Sequence, residues 1–243
     1  MRRFFLDIPS LDLNDIILPP DEAKHIVKVL RMQVGDKIEV INGNGEVLTA
    51  EITLAEPKNV IAKQIAYKKE TPDSFHIHIA IAPTKNNDRF EWFLEKATEL
   101  GVHEITPILC TNSERTKIKK ERFEKIIVAA TKQSKRLFKP KLNDLTPFNT
   151  FVEKHQSGLI AHCYDNEERN TSIYAQLEHD KGKWEKSNTP ILIGPEGDFS
   201  LNEVKFALEN GYQAVSLGKT RLRTETAGVY ACMNLKLFFE EKV

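Results

Sequence analysis

Cysteine is scarce, with three residues in 243, at Cys110, Cys163 and Cys232, and no Cys-x-x-Cys pair among them. That spacing argues against a thiolate zinc site and against a disulfide framework, and it predicts buried thiols in a reducing cytosol. Long apolar runs are missing too. Eighteen consecutive apolar residues occur nowhere, and the arginines of the opening MRRFFLDIPS precede no sustained apolar stretch, so neither a membrane span nor an export signal is expected. Net charge is absent, since 35 lysines and arginines balance 35 acids. Any contact with nucleic acid must therefore come from a local patch. No internal repeat or low-complexity tract is found.

With 40% apolar residues the chain can bury a sizeable core, divided between one domain or two. Two are expected. Residues 1 to 70 consist of short pieces: LPPDEAKHIVKVLRM, read as a helix over about 21 to 31, then KIEVING and EVLTAEITLAE around the turn Asn42-Gly43-Asn44-Gly45, then NVIAKQIAYK. Asn and Gly accept the positive φ angles of hairpin turns, so this reads as a small β-barrel-like domain. The polar stretch Lys68 to Ser74, with Pro72, marks the boundary.

A second domain, 75 to 243, alternates strands with helices, which predicts a mostly parallel sheet covered on both faces. HIHIAIA places Ile77, Ile79 and Ile81 on one face of a strand. Asp88 and Glu91 have capping-box spacing before the next helix, and Gly101 suits its C-terminal cap. ITPIL, GLIAHC, PILIG and QAVSLG read as further strands. A long helix over about 119 to 138 sets Phe123, Ile126, Ile127, Ala130, Ser134 and Leu137 on one buried face. Residues 164 to 189 are polar and weakly patterned, with one short helix expected.

Two loops carry the chemistry. Gly194-Pro195-Glu196-Gly197-Asp198-Phe199-Ser200 follows an apolar strand and opens a helix capped by Ser200 and Glu203, with Phe199 and Val204 at staple positions. Strand ends of this kind bind ligands in open parallel sheets. Glu196 and Asp198 would repel a phosphate, so a neutral or cationic ligand fits better. The second loop, Leu217 to Ala227, concentrates arginines, threonines and Glu225 at another strand-to-helix junction. Either loop alone could be a plain turn, and Arg223 with Glu225 could be a structural ion pair. Their recurrence at one sheet edge points to a ligand site.

GPEGDFS, SLGKTRLRTETA, KATELGV (96 to 102) and HIVKVLRMQVGD (25 to 36) resemble the RsmE family, nearly throughout the chain and in order. The resemblance implies an S-adenosylmethionine-dependent enzyme that methylates N3 of one uridine in 16S rRNA of the small ribosomal subunit. It implies an α/β SPOUT methyltransferase domain with a C-terminal trefoil knot, a preceding PUA-like RNA-binding domain and a homodimer, while a cytoplasmic location and no metal are the expectations from the cysteine spacing and the missing apolar runs. It places the cofactor at Ile193, Gly194, Glu196, Gly197, Leu217, Gly218, Leu222, Arg223 and Thr226. Asp198 stands where the family usually has glycine, Arg221 where it has isoleucine, and Lys132 where an EQS-like stretch begins.

Uracil N3 carries a proton at neutral pH, so methylation needs a base or cationic donors that favour the N3 anion. Arg223 is the expected anion stabiliser and Glu225 the expected base, or else an anchor of the knot. The base must be unpaired or flipped out. Expected RNA contacts are Arg2 and Arg3, then His25, Lys28 and Arg31 along one side of the short helix. Lys132 and Arg136 join them from a long helix that is also crowded by Lys117, Lys119, Lys120, Arg122, Lys135 and Lys139, and Lys85 and Arg115 complete the set. Two alternatives stay open: a non-catalytic RNA-binding or ribosome-assembly protein, and a ribose 2′-O-methyltransferase of the same fold.

Overall fold

The computed structural model describes residues 1–164, 171–180 and 190–240. Contacts group them into two units, Met1–Pro72 with Val128–Lys139, and Asp73–Ile127 with Pro140–Val243.

The first unit holds strands β1 (Arg2–Phe5), β2 (Asp15–Leu18), β3 (Lys37–Ile41), β4 (Glu46–Glu56) and β5 (Asn59–Lys69). They pair in the order β1-β3-β4-β5-β2, antiparallel except for the parallel β1/β3 contact. Period-two alternation drives this, because Ile38, Val40, Leu48, Ala50, Ile52, Val60 and Ala62 all turn into one core with Phe4, Ile16 and Leu18. The turn at residues 42 to 45 joins β3 to β4, as expected.

The expected helix over 21 to 31 is not regular. Helix α1 (Pro20–Lys24) runs into a π-helical turn, His25–Val29, closed by the Leu30 N–H donating to the His25 carbonyl at 2.9 Å. Arg31 then adopts φ 55° outside the turn. His25, Lys28 and Arg31 are exposed, but the i→i+5 winding and the left-handed residue take them off a single helical face.

Helix α3 (Lys120–Gln133) also ends earlier than expected, with Lys135 at φ 59°. Ser134 and Leu137 therefore lie beyond it. The chain after the helix finds other backbone partners: Gly45 N–H donates to the Leu137 carbonyl at 3.0 Å and Lys139 N–H to the Gly43 carbonyl at 2.9 Å. Those bonds explain why Val128–Lys139 belongs with the first unit.

In the second unit every strand pairing is parallel. The strands are β6 (His78–Ile81), β7 (Glu104–Leu109), β8 (Lys141–Leu142), β9 (Thr146–Pro147), β10 (Gly158–Ala161), β11 (Pro190–Ile193) and β12 (Tyr212–Val215). Their order is β12-β10-β11-β6-β7-β8, with β9 pairing β7 beyond β8. Successive residues feed opposite faces. Ile79, Ile81, Ile105, Leu159, Ile191 and Ile193 enter one core, while Ala80, Ile108, Ile160, Leu192 and Ala214 enter another. Burial on both faces explains the near-continuous apolar strands.

The helices of this unit, besides the first half of α3, are α2 (Asn87–Leu100), α4 (Phe148–Lys154), α5 (Ile173–His179), α6 (Leu201–Glu209) and α7 (Thr224–Glu240). Asn86, not Asp88, caps α2, its side-chain oxygen accepting from the Asp88 N–H at 2.9 Å. Gly101 closes that helix at φ 96°, which favours glycine. Helix α7 lies so close to α2 and β6 that a Cβ on Gly228 would meet Phe93 at 2.6 Å and Ile81 at 2.8 Å. Helix α5 is the one expected between 164 and 189, and the rest of that stretch, 165–170 and 181–189, lies outside the described residues. Cys110 and Cys232 are buried, but Cys163 is exposed at the end of β10, contrary to expectation. No helix among the described residues is long and apolar enough to cross a membrane.

Candidate functional site

Parallel pairing brings the C-terminal ends of β10, β11 and β12 side by side, with Ala161 opposite both Ile193 and Val215. The loops that leave those ends enclose a cavity of about 270 Å³. It lies near the lower end of the ~300–1,000 Å³ usual for small-molecule sites. Of the residues expected at a ligand site, Ile193, Gly194, Glu196, Leu217, Gly218, Leu222 and Arg223 line it. Gly197 does not, being set against Asn112, whose side-chain amide donates to the Gly197 and Asp198 carbonyls at 3.2 and 3.1 Å. Thr226 lines a neighbouring cavity instead. Ala161, His162 and Cys163 also line the site and escaped the sequence reading. Their signal was the GLIAHC strand ending at the same sheet edge.

The loops are held from several sides. The hydroxyl of Thr224, at the start of α7, donates to the Gly194 carbonyl at 3.1 Å. Ser200 and Glu203 form the expected capping box on α6, and Oε1 of Glu203 also accepts from the Thr111 N–H at 2.7 Å. Asp198 sits at φ 63°, a left-handed conformation. Its carboxylate accepts from the Cys163 N–H at 2.7 Å and from its neighbour Phe199 N–H at 2.8 Å. This accounts for the departure from glycine, because aspartate is among the few residues whose short side chain sustains that backbone.

Glu196 is less free for a ligand than its position in the motif implies, since Oε1 accepts from the Lys85 N–H at 2.9 Å. Arg115 holds the same segment, donating to the Thr84 carbonyl at 2.9 Å and to the Lys85 carbonyl. Lys85 in turn pairs with Glu114 at 2.6 Å, which raises its pKa. Burial pushes the Cys110 thiol up, with the Glu203 carboxylate adding to it, so Cys110 is an inert thiol.

Glu225 does not line the first cavity. With Asp88, Arg89, Trp92 and Thr226 it lines a second one of about 600 Å³, and Arg221, Leu222 and Arg223 border both. The structural Arg223–Glu225 ion pair that the sequence left open as an alternative is not seen among the described residues; Glu225 Oε1 has instead a long contact with Arg89 Nε at 3.9 Å. Asp88, Arg89 and Trp92 gave no signal except their place in the first turns of α2.

The cationic candidates are more compensated than their number implies, as a neutral chain requires. Arg3 pairs with Glu39 at 3.0 Å, Lys132 with Glu22 at 2.7 Å, Lys120 with Asp144 at 2.7 Å and Arg122 with Glu91 at 2.6 Å. Lys132, the third departure, thus has a carboxylate partner. Arg2, His25, Lys28 and Arg31 are exposed, and Arg136 is half-buried. Among the described residues no group of three or more His, Cys, Asp or Glu side chains is placed to hold a metal ion.

A family model described as an RNA methyltransferase domain matches residues 71–236, and one described as an RNA methyltransferase PUA domain matches residues 18–65. Ribosomal RNA small subunit methyltransferase E of Bacillus subtilis is 28% identical, covering 95% of this chain and 94% of its own. The protein of the same name from Buchnera aphidicola (Acyrthosiphon pisum) is 30% identical over 95% and 91%. A crystal structure of a probable rRNA-methyltransferase from Porphyromonas gingivalis superposes with a TM-score of 0.84 at 38% identity, covering all of both chains. A ribosomal RNA small subunit methyltransferase E from Neisseria gonorrhoeae, bound to S-adenosyl methionine, gives a TM-score of 0.84 at 26% identity and covers 98% of each chain. With two loops of one sheet edge closing on one cavity and these matches spanning nearly its whole length, the chain belongs to the RNA methyltransferase family that includes ribosomal RNA small subunit methyltransferase E.

Proposed function

We propose that the chain transfers a methyl group from S-adenosylmethionine to N3 of one uridine in the 16S rRNA of the small ribosomal subunit. The observation that carries this is the cavity where the GPEG and LRTETA loops meet, joined by Thr224 and Gly194. Its walls suit the donor. Ile193, Leu217, Leu222 and Ala227 offer an apolar slot for a flat ring, and the turns at Gly194 and Gly218 bring backbone donors and acceptors to its edge. S-adenosylmethionine, bound there, supplies an electrophilic methyl group. The residues around it then have three tasks: to align, to exclude water, and to favour the N3 anion. Arg223, on the border of both cavities, stabilises that anion, and Glu225 takes the proton.

Around this centre we place a first domain over residues 1–70 that helps hold RNA, with Arg2, His25, Lys28 and Arg31 as its exposed cations, and a knotted methyltransferase domain over 75–243. The enzyme acts in the cytoplasm as a homodimer. The exposed Tyr230, Met233 and Leu237, spaced along α7, are the residues best suited to a subunit contact.

The test is Arg223→Ala, assayed separately for cofactor binding by calorimetry and for turnover on unmethylated small subunits, with nucleoside mass spectrometry of the product. Loss of turnover by roughly 100-fold or more is expected, with 3-methyluridine as the parent's product. Unchanged turnover removes the mechanism, and a 2′-O-methyl nucleoside in place of 3-methyluridine sinks the base assignment.

A further inference from the structure

The second cavity holds a buried carboxylate with one oxygen that no donor meets. Glu225 is buried, its side chain 8% exposed, yet Oε2 has no hydrogen-bond partner and Oε1 has only the 3.9 Å approach of Arg89. A buried carboxylate oxygen without a donor is costly and marks a place where a ligand N–H belongs. The same cavity is lined by two arginines, Arg89 from α2 and Arg223 from the loop before α7, and by the half-exposed Trp92.

The geometry points to this cavity as the seat of the target base, with Glu225 between Arg89 and Arg223 reading a uracil edge and Trp92 supporting the ring. The inference rests on the reading of the adjoining cavity as the methyl-donor site. Uracil presents carbonyl, N3–H and carbonyl in a row, the complement of guanidinium, carboxylate and guanidinium. Cytosine has no proton on N3, so its ring nitrogen would face Oε2 with a lone pair. Guanine sets an amino group where one guanidinium needs an acceptor. A flipped base held by its pairing edge and by an aromatic face is the usual solution for enzymes that act on a base. Because Arg221, Leu222 and Arg223 border both cavities, the ring nitrogen and the donated methyl group are brought together across them. The N3 proton passes to Oε2 of Glu225 and the N3 electron pair forms the new N–CH3 bond. The pair of the broken C–S bond stays on sulfur, which goes from sulfonium to neutral thioether, and Glu225 then releases the proton to solvent.

The experiment compares Arg89→Ala, Trp92→Ala and Glu225→Gln in the full-length chain. All three are expected to bind S-adenosylmethionine as the parent does. Trp92→Ala and Arg89→Ala should raise KM for unmethylated small subunits by about ten-fold. Glu225→Gln should lower kcat by about 100-fold or more with KM little changed. Trp184→Phe leaves Trp92 as the sole tryptophan, and its fluorescence should be quenched by an oligouridine and not by an oligocytidine. Parent-like kcat and KM in the Arg89 and Trp92 variants overturn the proposal, as does equal quenching by both oligonucleotides. So does a shift of the Arg89 or Trp92 variant to a smaller sedimenting species, which would make the cavity a subunit contact. A parent chain that binds the cofactor but methylates no RNA refutes the proposed function instead.

Discussion

The hydroxyl of Thr224 donates to the carbonyl of Gly194 across 30 residues of sequence, at 3.1 Å and out of contact with solvent. The bond joins the start of α7 to the GPEG turn, so two walls of the ligand cavity move as one. Thr224→Val keeps the shape and removes the donor, leaving the Gly194 carbonyl unpaired at a cost of about 1–3 kcal/mol. Weaker S-adenosylmethionine binding, by about five- to ten-fold, is expected, together with a lower melting temperature. Calorimetry on the variant checks it, and parent-like affinity would show that the loops hold their positions without this bond.

Asp198 supports the same turn by a different means. A left-handed backbone costs most residues roughly 1–2 kcal/mol, which the two hydrogen bonds to Cys163 and Phe199 offset here. Asp198→Ala loses those bonds and keeps the backbone penalty, so a destabilisation of about 1–3 kcal/mol is expected. Asp198→Gly loses the bonds but relieves the penalty, and should lie closer to the parent. Chemical denaturation ranks the three, and alanine equal to glycine would refute the account.

These two positions also show how far the sequence could be read. The capping box of Ser200 and Glu203 and the turn after Gly101 depend on neighbours within a few residues, so their chemistry was visible in the sequence. The contribution of Ala161 to Cys163 was not, because it depends on β10 lying between β11 and β12, a crossover that periodicity does not encode. The early end of α3 and the π-turn within the expected helix over 21 to 31 are hidden from the sequence for a related reason. Lys135 and Arg31 turn left-handed where no glycine announces it, and after α3 the chain pairs with a hairpin turn some ninety residues earlier. Glu225 was identified as a chemical residue from its motif, but its cavity is completed by α2, more than a hundred positions away.

Gly228 is a site where a change that favours helix would harm the protein. Alanine has the better helix propensity by about 1 kcal/mol. Its Cβ, however, would press on Phe93 at 2.6 Å and Ile81 at 2.8 Å, both fully buried. Overpacking of this kind costs about 1–3 kcal/mol, and the displaced element is the helix that presents Glu225. Gly228→Ala is therefore expected to melt earlier and to turn over more slowly. A rise in melting temperature would mean that α7 and α2 can separate without loss.

His78 makes stability depend on acidity. The residue is buried in β6, its Nε2 is 2.8 Å from the Thr106 hydroxyl, and burial pushes its pKa down to about 3. An unfolded histidine takes up a proton below about pH 6.5. Between those values the unfolded chain holds a proton that the fold refuses, so stability falls as the pH falls, by about 1.4 kcal/mol per pH unit at full effect. Glu104 acts in a lower window. The hydrogen bond from His76, with further ones from Asn143 and Lys141, outweighs burial and holds its carboxyl well below the usual range. Its stabilisation is present above the ordinary carboxylate value of about 4.3 and is lost as the pH drops below it. Denaturation at about pH 6 and about pH 5 therefore isolates the histidine, and His78→Gln should flatten the loss between them by up to one proton's worth. Equal slopes in parent and variant would show that the acid sensitivity does not come from His78.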